Sequence, residues 1–151
     1  MSRIQKKFAS LKGSRQKALI PYITPEYPFK GITLGLLRAL EEGEADLVEV
    51  GIPFSDPLAD GETIQHSSEF ALKNGVTVDR ILDAVREFRK SSQLPILLMG
   101  YVNPIFRIGV EKFFASLGVW VGTGLPVYFL CRYFTAPIMS RGSGCGDFFA
   151  V

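Results

Sequence analysis

Apolar runs alternate with amphipathic segments along residues 1–116, and this alternation limits the possible folds more than any other feature. Residues 18–23, 46–52 and 95–101 are short runs rich in Val, Ile and Leu, as in strands buried on both faces. The segments between them carry apolar residues at helical spacing. Strands that alternate with helices form parallel sheets through right-handed crossovers. The pattern therefore predicts an α/β fold with a parallel sheet.

The spacing of apolar residues also predicts which side of each helix is buried. The inward residues expected for the four helices are Ile4, Phe8 and Leu11; Leu36, Leu37 and Leu40; Ile64, Ser67 or Ser68, and Ala71; and Ile81, Leu82, Val85 and Phe88. Gly75 is expected to end the third helix, so Asn74 and Gly75 are predicted as a helix end and not as a hairpin turn. Thr77 is expected to cap the fourth helix.

Composition and charge exclude several classes of protein. The chain has 151 residues, of which 47% are hydrophobic, which suffices for one packed domain. A formal net charge of +2 without a basic cluster gives no support to nucleic-acid or membrane binding. The two cysteines, Cys131 and Cys145, match neither a disulfide framework nor a zinc site, so no metal is expected. The basic N-terminus lacks the apolar stretch of a secretory signal, so a cytoplasmic location is expected.

The composition changes near Leu117. Residues 117–151 contain only three charged residues, Arg132, Arg141 and Asp147, and show no sustained helical or strand period. We therefore predict an α/β domain at 1–116, either part of a barrel or an open sheet, and a foreign tail at 117–151, as a shifted reading frame would produce. The uncharged run Phe113–Cys131 is long enough to raise the question of a membrane span, but its glycines and Pro126 argue against one.

The candidate catalytic residues lie within residues 49–65, EVGIPFSDPLADGETIQ. Glu49 stands between two valines, so its carboxylate points either into the interior of the sheet or outward to a lysine partner. Asp56 and Asp60 follow on a loop stiffened by proline and glycine, where aspartates also serve as plain turn formers. In parallel α/β folds this loop lies at the catalytic end of the sheet. Two carboxylates there suit proton transfer and charge stabilisation.

This loop resembles the second active-site loop of the tryptophan synthase alpha chain family. Residues 18–24, ALIPYIT, are similar to the first strand of that family, and residues 95–106, PILLMGYVNPIF, are similar to its third strand and the following loop. The resemblance covers about residues 1–115 in the correct order. It implies the N-terminal portion of a (β/α)8 TIM barrel, incomplete and followed by an atypical C-terminal tail.

The resemblance implies a lyase that cleaves indole-3-glycerol phosphate to indole and glyceraldehyde 3-phosphate by a retro-aldol step in tryptophan biosynthesis. Glu49 would be the general acid/base, and Asp60 would hold the indole N–H and stabilise the cationic intermediate. The implied contacts are Tyr22, Ile64 and Tyr101 with the indole, and Pro53, Asp56 and Asn103 with the beta subunit. The alpha chain itself would need no cofactor, because pyridoxal phosphate belongs to the beta subunit of an assembly with two alpha and two beta chains.

The chain departs from the family pattern in two places. Residues 25–28, PEYP, replace a small-Gly-Asp-Pro turn, and the fourth strand of the family with its acidic-proline loop is not recognisable after residue 115. We therefore expect a three-stranded sheet with an open edge, no phosphate cradle, and little or no activity of the isolated chain. The alternative is a non-catalytic remnant that at most binds the beta subunit. A Schiff-base aldolase is disfavoured because no lysine lies near a strand end.

Overall fold

Helices and parallel strands alternate in the computed structural model, which describes residues 3–113 and, as backbone, residues 127–131. The elements in chain order are α1 (Arg3–Ser14), β1 (Tyr22–Ile23), α2 (Thr33–Glu42), β2 (Val48–Gly51), α3 (Glu62–Lys73), α4 (Val78–Arg89), β3 (Ile96–Gly100), α5 (Val102–Ile108) and β4 (Val127–Cys131). Residues 110–113 are also helical. The α/β alternation predicted from the apolar runs is confirmed.

The strands form one parallel sheet in the order β1-β2-β3-β4, so each strand pairs with the next one along the chain. Glu49 of β2 lies in register between Tyr22 of β1 and Leu97 of β3. Leu97 is in turn in register with Tyr128 of β4. All carboxyl ends therefore lie at one edge of the sheet, where the loops that carry the candidate residues begin.

The two faces of the sheet differ in burial. Val48, Val50, Ile96 and Leu98 are all 0% exposed and pack in one cluster with residues of α2 and α4. Side chains alternate across a strand, so the residues between them belong to the opposite face, which we call the inner face. There Glu49 and Leu97 are only half-buried. At the amino end of the sheet, Ile4 of α1 packs in a small cluster with Leu47 and Leu97.

Helix α4 follows the prediction closely. Its four predicted core residues, Ile81, Leu82, Val85 and Phe88, are all buried. Thr77 caps it, because the hydroxyl oxygen of Thr77 accepts a hydrogen bond from the Arg80 N–H at 3.2 Å. Gly75 has a φ of +76°, the left-handed conformation that commonly follows a helix, so the predicted end of α3 is confirmed.

Two predictions near the N-terminus are wrong in detail. Phe8 is 44% exposed, although Ile4 and Leu11 of the same helix are buried. The strand expected over residues 18–23 is reduced to Tyr22–Ile23. Leu19 and Ile20 are 56% and 39% exposed because this segment is not covered in the way the central strands are. An apolar run alone does not show where pairing with a neighbouring strand begins.

The expected number of three strands is also wrong, because the sheet has a fourth strand, which takes the edge position next to β3. Strand β4 pairs in parallel with β3 over its whole length, from Ile96 opposite Val127 to Gly100 opposite Cys131. The segment lacks periodicity, so only its pairing with β3 identifies it as a strand. Most of the possible span Phe113–Cys131 lies outside the described residues. Among the residues that are described, no helix is long and apolar enough to cross a membrane.

Candidate active site

Glu49 lies on the inner face of the sheet. Its neighbours Val48 and Val50 are fully buried on the opposite face, beneath the helices. Among the described residues, no lysine forms an ion pair with Glu49. Of the two placements that the sequence left open, the strand thus has the one in which this carboxylate lies on the inner face, without a lysine partner.

Tyr22 shares this face with Glu49, its register partner on β1. The ring of Tyr22 crosses the backbone of Gly51, because a Cβ built on Gly51 would lie 1.9 Å from the Tyr22 hydroxyl oxygen. Any larger residue at position 51 would displace the ring. The absence of a side chain at Gly51 therefore leaves room for the Tyr22 ring beside the strand that carries Glu49, and this close approach was not predicted from the sequence.

Asp60 is tied to the end of β3 through Tyr101. The Tyr101 hydroxyl donates a hydrogen bond to Oδ2 of Asp60 at 3.0 Å and accepts one from the N–H of Ala59 at 3.0 Å. Tyr101 is only 5% exposed, and its ring lies 5.2 Å from that of Phe54. The loop after β2 is thus held against the loop after β3 by a buried side chain.

The backbone around Asp60 is also fixed. Its N–H donates to the carbonyl oxygen of Pro57 at 3.0 Å, and its own carbonyl oxygen accepts from Nε2 of Gln65 at 2.8 Å. The carboxylate, however, bonds to Tyr101 and so acts across the fold as well as within its turn. Asp60 thus lies in a turn, and its side chain is positioned by a second strand end; its catalytic role stays a prediction.

The other two loop candidates are placed differently. Asp56 is exposed, and its Oδ2 accepts a hydrogen bond of 2.7 Å from the adjacent Ser55 hydroxyl. This is the local contact of a turn residue. Ile64, in the first turn of α3, is half-buried, and its proposed contact with a substrate stays a prediction. No described contact joins Ile64 to Glu49.

The predicted partner-binding residues are brought together only in part. Pro53 and Asn103 line one cleft of about 640 Å³ between the loop after β2, α4 and α5, together with the basic residues Arg107 and Lys112. Asp56 does not line this cleft. The structure therefore groups two of the three residues on one surface and leaves the third on the exposed tip of the loop.

The loop after β1 is organised by Glu26, a residue that sequence reasoning did not single out. Glu26 is 8% exposed and has a φ of +61°. Its carboxylate accepts hydrogen bonds from the Gly31 N–H at 2.7 Å and the Thr33 hydroxyl at 2.8 Å. The Glu26 N–H donates to the Thr33 hydroxyl at 2.9 Å. This network orders the segment that replaces the family turn.

Two further bonds connect that loop to α3. Nδ2 of Asn74 donates to the carbonyl oxygen of Glu26 at 2.7 Å. Inside the fold, the hydroxyls of Thr24 and Ser67 are 2.8 Å apart. The only sequence signal for these contacts is the presence of polar residues at positions predicted to be buried, such as Ser67. Both pairs link residues more than forty positions apart, which a local pattern does not reveal.

This end of the sheet can support chemistry that needs two carboxylates in different roles. Glu49 stands on the inner face, free of any lysine that would hold it as a structural ion pair within the described range. Asp60 accepts a hydrogen bond from a buried hydroxyl, which fixes the direction of its carboxylate. One group can move a proton while the other stabilises positive charge. Within the described residues no cluster of three His, Cys, Asp or Glu could hold a metal ion.

Sequence comparison gives a consistent family match. The family model of the tryptophan synthase alpha chain matches residues 8–125. The alpha chain of Aromatoleum aromaticum is 52% identical over 117 residues, which are 77% of this chain and 43% of that relative. The alpha chain of Burkholderia thailandensis is 54% identical over 117 residues, again 77% of this chain and 43% of the relative. The chain thus spans less than half the length of these curated relatives.

Solved structures agree in fold. Tryptophan synthase subunit alpha from Legionella pneumophila superposes with a TM-score of 0.80 at 37% identity, over 88% of this chain and 50% of that one. A chain of the tryptophan synthase complex from Pyrococcus furiosus gives a TM-score of 0.67 at 46% identity, over 77% and 46% of the two chains. The fold is therefore an incomplete portion of a TIM barrel. The family match runs on to residue 125, nine residues beyond the predicted boundary at residue 116. The boundary stays a prediction.

Proposed function

Because this chain belongs to the tryptophan synthase alpha chain family, we propose that it carries the catalytic carboxylates of the lyase that cleaves indole-3-glycerol phosphate. The products would be indole and glyceraldehyde 3-phosphate. The observation that carries the proposal is the bond between the buried Tyr101 hydroxyl and Asp60, at the same end of the sheet as the inward-facing Glu49. The same proposal includes a cytoplasmic location and no cofactor of its own.

In the proposed reaction the two carboxyl groups have different roles. Glu49 delivers a proton to the ring carbon that bears the glycerol chain, and the ring becomes a cationic indolenine. The carboxylate of Asp60 accepts a hydrogen bond from the ring N–H and stabilises the positive charge that develops there. Glu49, now deprotonated, takes the proton of the glycerol hydroxyl as the carbon–carbon bond breaks. The bonding electrons return to the ring, which leaves as indole, and the hydroxyl carbon becomes the aldehyde.

Aromatic and apolar side chains would hold the flat substrate between these acids. Tyr22, Ile64 and Tyr101 are the proposed contacts of the indole ring. Tyr22 is supported by its place beside Glu49 on the inner face. Tyr101 would have a second role, since its hydroxyl already orients Asp60. The ring of Phe54 already packs against that of Tyr101, with the two ring centroids 5.2 Å apart.

The activity requires parts of the barrel beyond the four strands of this sheet. Barrels of this class commonly bind phosphate through loops after the seventh and eighth strands. We therefore expect little or no indole release by the 151-residue chain alone. The test supplies the missing part as a chimera, in which residues 1–115 are joined to the remainder of the Aromatoleum aromaticum alpha chain.

The chimera is expected to release indole from indole-3-glycerol phosphate. Glu49→Gln should reduce that rate by about 10²–10⁴-fold, because it removes the proton donor. Asp60→Asn should reduce it by about 10²–10³-fold, because it removes the charge that stabilises the cation. Leu58→Ala is the matched control, since Leu58 lies in the same loop and is 87% exposed. A folded chimera without activity, or one that Glu49→Gln leaves unchanged, would contradict the proposal.

The second candidate is a non-catalytic chain that binds the beta subunit. The observation in its favour is the cleft that groups Pro53 with Asn103. A pyridoxal-phosphate-bearing beta subunit would be the partner, in an assembly of two alpha and two beta chains. Calorimetric titration of the chain with a beta subunit tests this candidate. Binding that Asn103→Ala weakens, without indole release, supports it, whereas no binding contradicts it.

A further inference from the structure

Gly51 is the last residue of β2 and lies on the inner face, two residues after Glu49. Its φ is outside the left-handed region, so its backbone conformation is one that any residue can adopt. Glycine inside a strand lowers stability, because it has no side chain to pack and loses more conformational entropy on folding than other residues. What glycine provides at this position is therefore the absence of a Cβ atom.

The ring of Tyr22 fills the space that a side chain at position 51 would take. A Cβ atom there would lie 1.9 Å from the hydroxyl oxygen, 2.5 Å from Cζ and 2.9 Å from Cε2 of Tyr22. Side-chain carbon atoms pack at about 3.5–4.0 Å, so the ring would have to move. Two ring carbons clash as well as the hydroxyl, and removal of the hydroxyl alone would not make room for a Cβ.

The ring of Tyr22 extends along the inner face toward the carboxyl end of the sheet. Tyr22 is in register with Glu49, whereas its hydroxyl reaches Gly51, two residues further along β2. The loop that carries Asp60 begins directly after Gly51. The ring therefore runs from the level of one candidate carboxylate toward the loop of the other, where its place limits the room for a flat substrate.

We propose that Gly51 is a positioning residue, which sets the place of the Tyr22 ring and, through it, the width of the pocket for the indole ring. The inference rests on the proposed function and adds to it a residue that acts only through Tyr22. A side chain at position 51 would push the ring off β2 into the space in front of Glu49, where the flat heterocycle would bind. Because the clashing atoms are at the far end of a side chain that can rotate, the fold would change little while the pocket narrows.

The first experiment tests the contact in the full-length chain, without any reaction. A nuclear Overhauser effect is expected between the α protons of Gly51 and the ring protons of Tyr22. Gly51→Ala should weaken this effect and leave the urea midpoint of unfolding almost unchanged. Absence of the effect in the wild-type chain would overturn the proposal. A large fall of the midpoint would do so as well, since Gly51 would then be needed for the fold and not for the place of the ring.

The second experiment measures indole release by the chimera described above. Gly51→Ala should raise KM by roughly 10–10²-fold with a much smaller change in kcat, because the pocket narrows while Glu49 and Asp60 keep their places. Gly35→Ala is the matched control, since a Cβ at Gly35 would meet no atom within 4 Å. A fall in kcat at unchanged KM would indicate a loss of folded enzyme and contradict the proposal, as would no change in either constant.

Changes at Tyr22 in the same chimera test whether Gly51 acts through that ring. Leucine lacks all three clashing atoms, so Gly51→Ala should have no further effect on KM once Tyr22→Leu is present. Tyr22→Phe keeps both clashing ring carbons and should leave the effect of Gly51→Ala in place. The same result with leucine and phenylalanine would refute the inference.

The outcomes separate this inference from the proposed function. A chimera that Glu49→Gln inactivates but Gly51→Ala leaves unchanged would refute the role of Gly51 alone. A folded chimera without activity would refute both, even where the contact between Gly51 and Tyr22 is found in the full-length chain.

Discussion

Glu26 shows how one residue can organise a loop that departs from its family pattern. Its carboxylate binds the Gly31 N–H and the Thr33 hydroxyl, and its carbonyl oxygen binds Asn74. The residue has a φ of +61°, which costs free energy for any residue with a side chain. The hydrogen bonds of the carboxylate offset that cost and hold the loop between β1 and α2.

Glu26→Ala is expected to lower the free energy of unfolding by about 1–3 kcal/mol, because it leaves the hydrogen-bonding groups of Gly31 and Thr33 without their acceptor. Glu44 offers a matched control, since its φ is +60° and its side chain is exposed. Urea unfolding of both alanine variants measures the difference. If Glu44→Ala is as destabilising as Glu26→Ala, backbone conformation and not the hydrogen-bond network accounts for the effect.

At the scale of elements, helix α1 is joined to the sheet by a carboxylate that precedes β2. Oδ1 of Asp46 lies 3.1 Å from Nζ of Lys7 in α1, and Oδ2 accepts a hydrogen bond of 2.8 Å from the Leu19 N–H. The bond from Leu19 is the main cause that lowers the pKa of Asp46 below its ordinary 3.8, and Lys7 lowers it further. The charged form of Asp46 therefore stabilises the contact of α1 with the sheet.

Asp46→Asn is expected to destabilise the protein near neutral pH and to lose this effect in acid. The folded pKa lies below the unfolded value of 3.8, so the stabilisation is fully present above 3.8 and disappears as the pH falls through the folded pKa. Urea unfolding of wild type and variant over this range measures it. A difference between the two proteins that persists undiminished as the pH falls from above 3.8 to below the folded pKa would contradict this assignment.

Elements with strong local signals were predictable from the sequence, and those that depend on distant partners were not. Helix α4 has four core residues at helical spacing and a capping threonine, so its existence and its buried side follow from local physics. Alternation predicted that Glu49 faces away from Val48 and Val50, but it left open whether that side is the interior of the fold. In contrast, Leu19 and Ile20 are as apolar as residues of β3, yet they are exposed and lie outside β1. An apolar run in the sequence does not show which of its residues belong to the strand.

In the candidate site, too, the members were predictable from local sequence but the contacts between distant residues were not. The resemblance of its loops pointed to Glu49, Asp60 and Tyr101 as separate members, with Tyr101 as a contact of the substrate. The bond between Tyr101 and Asp60 joins residues 41 positions apart and was not predicted, because it depends on how two strand ends meet in space. The close approach of Tyr22 to Gly51 was not predicted either, because it also depends on how two strands meet in space. The roles of these residues stay predictions.

At the scale of the whole molecule, one continuous cluster connects the sheet to the helices. It contains residues from α2, β2, α3, α4, β3 and α5, so the same apolar contacts hold all these elements together. Leu98 lies at the middle of β3, in register with Val50 on one side and Phe129 on the other, and is 0% exposed. A substitution at Leu98 should therefore lower the stability of every element that contributes to the cluster.

Leu98→Ala is expected to lower the free energy of unfolding by about 2–5 kcal/mol, since it removes buried methyl groups and leaves a cavity in a closely packed region. That loss is a large part of the roughly 5–15 kcal/mol by which domains are stable. Leu58→Ala makes the same chemical change at a side chain that is 87% exposed and should cost almost nothing. Hydrogen exchange should show that Leu98→Ala speeds opening of β2, β3 and α4 together. Faster exchange confined to β3 would mean that the cluster does not unfold as one unit.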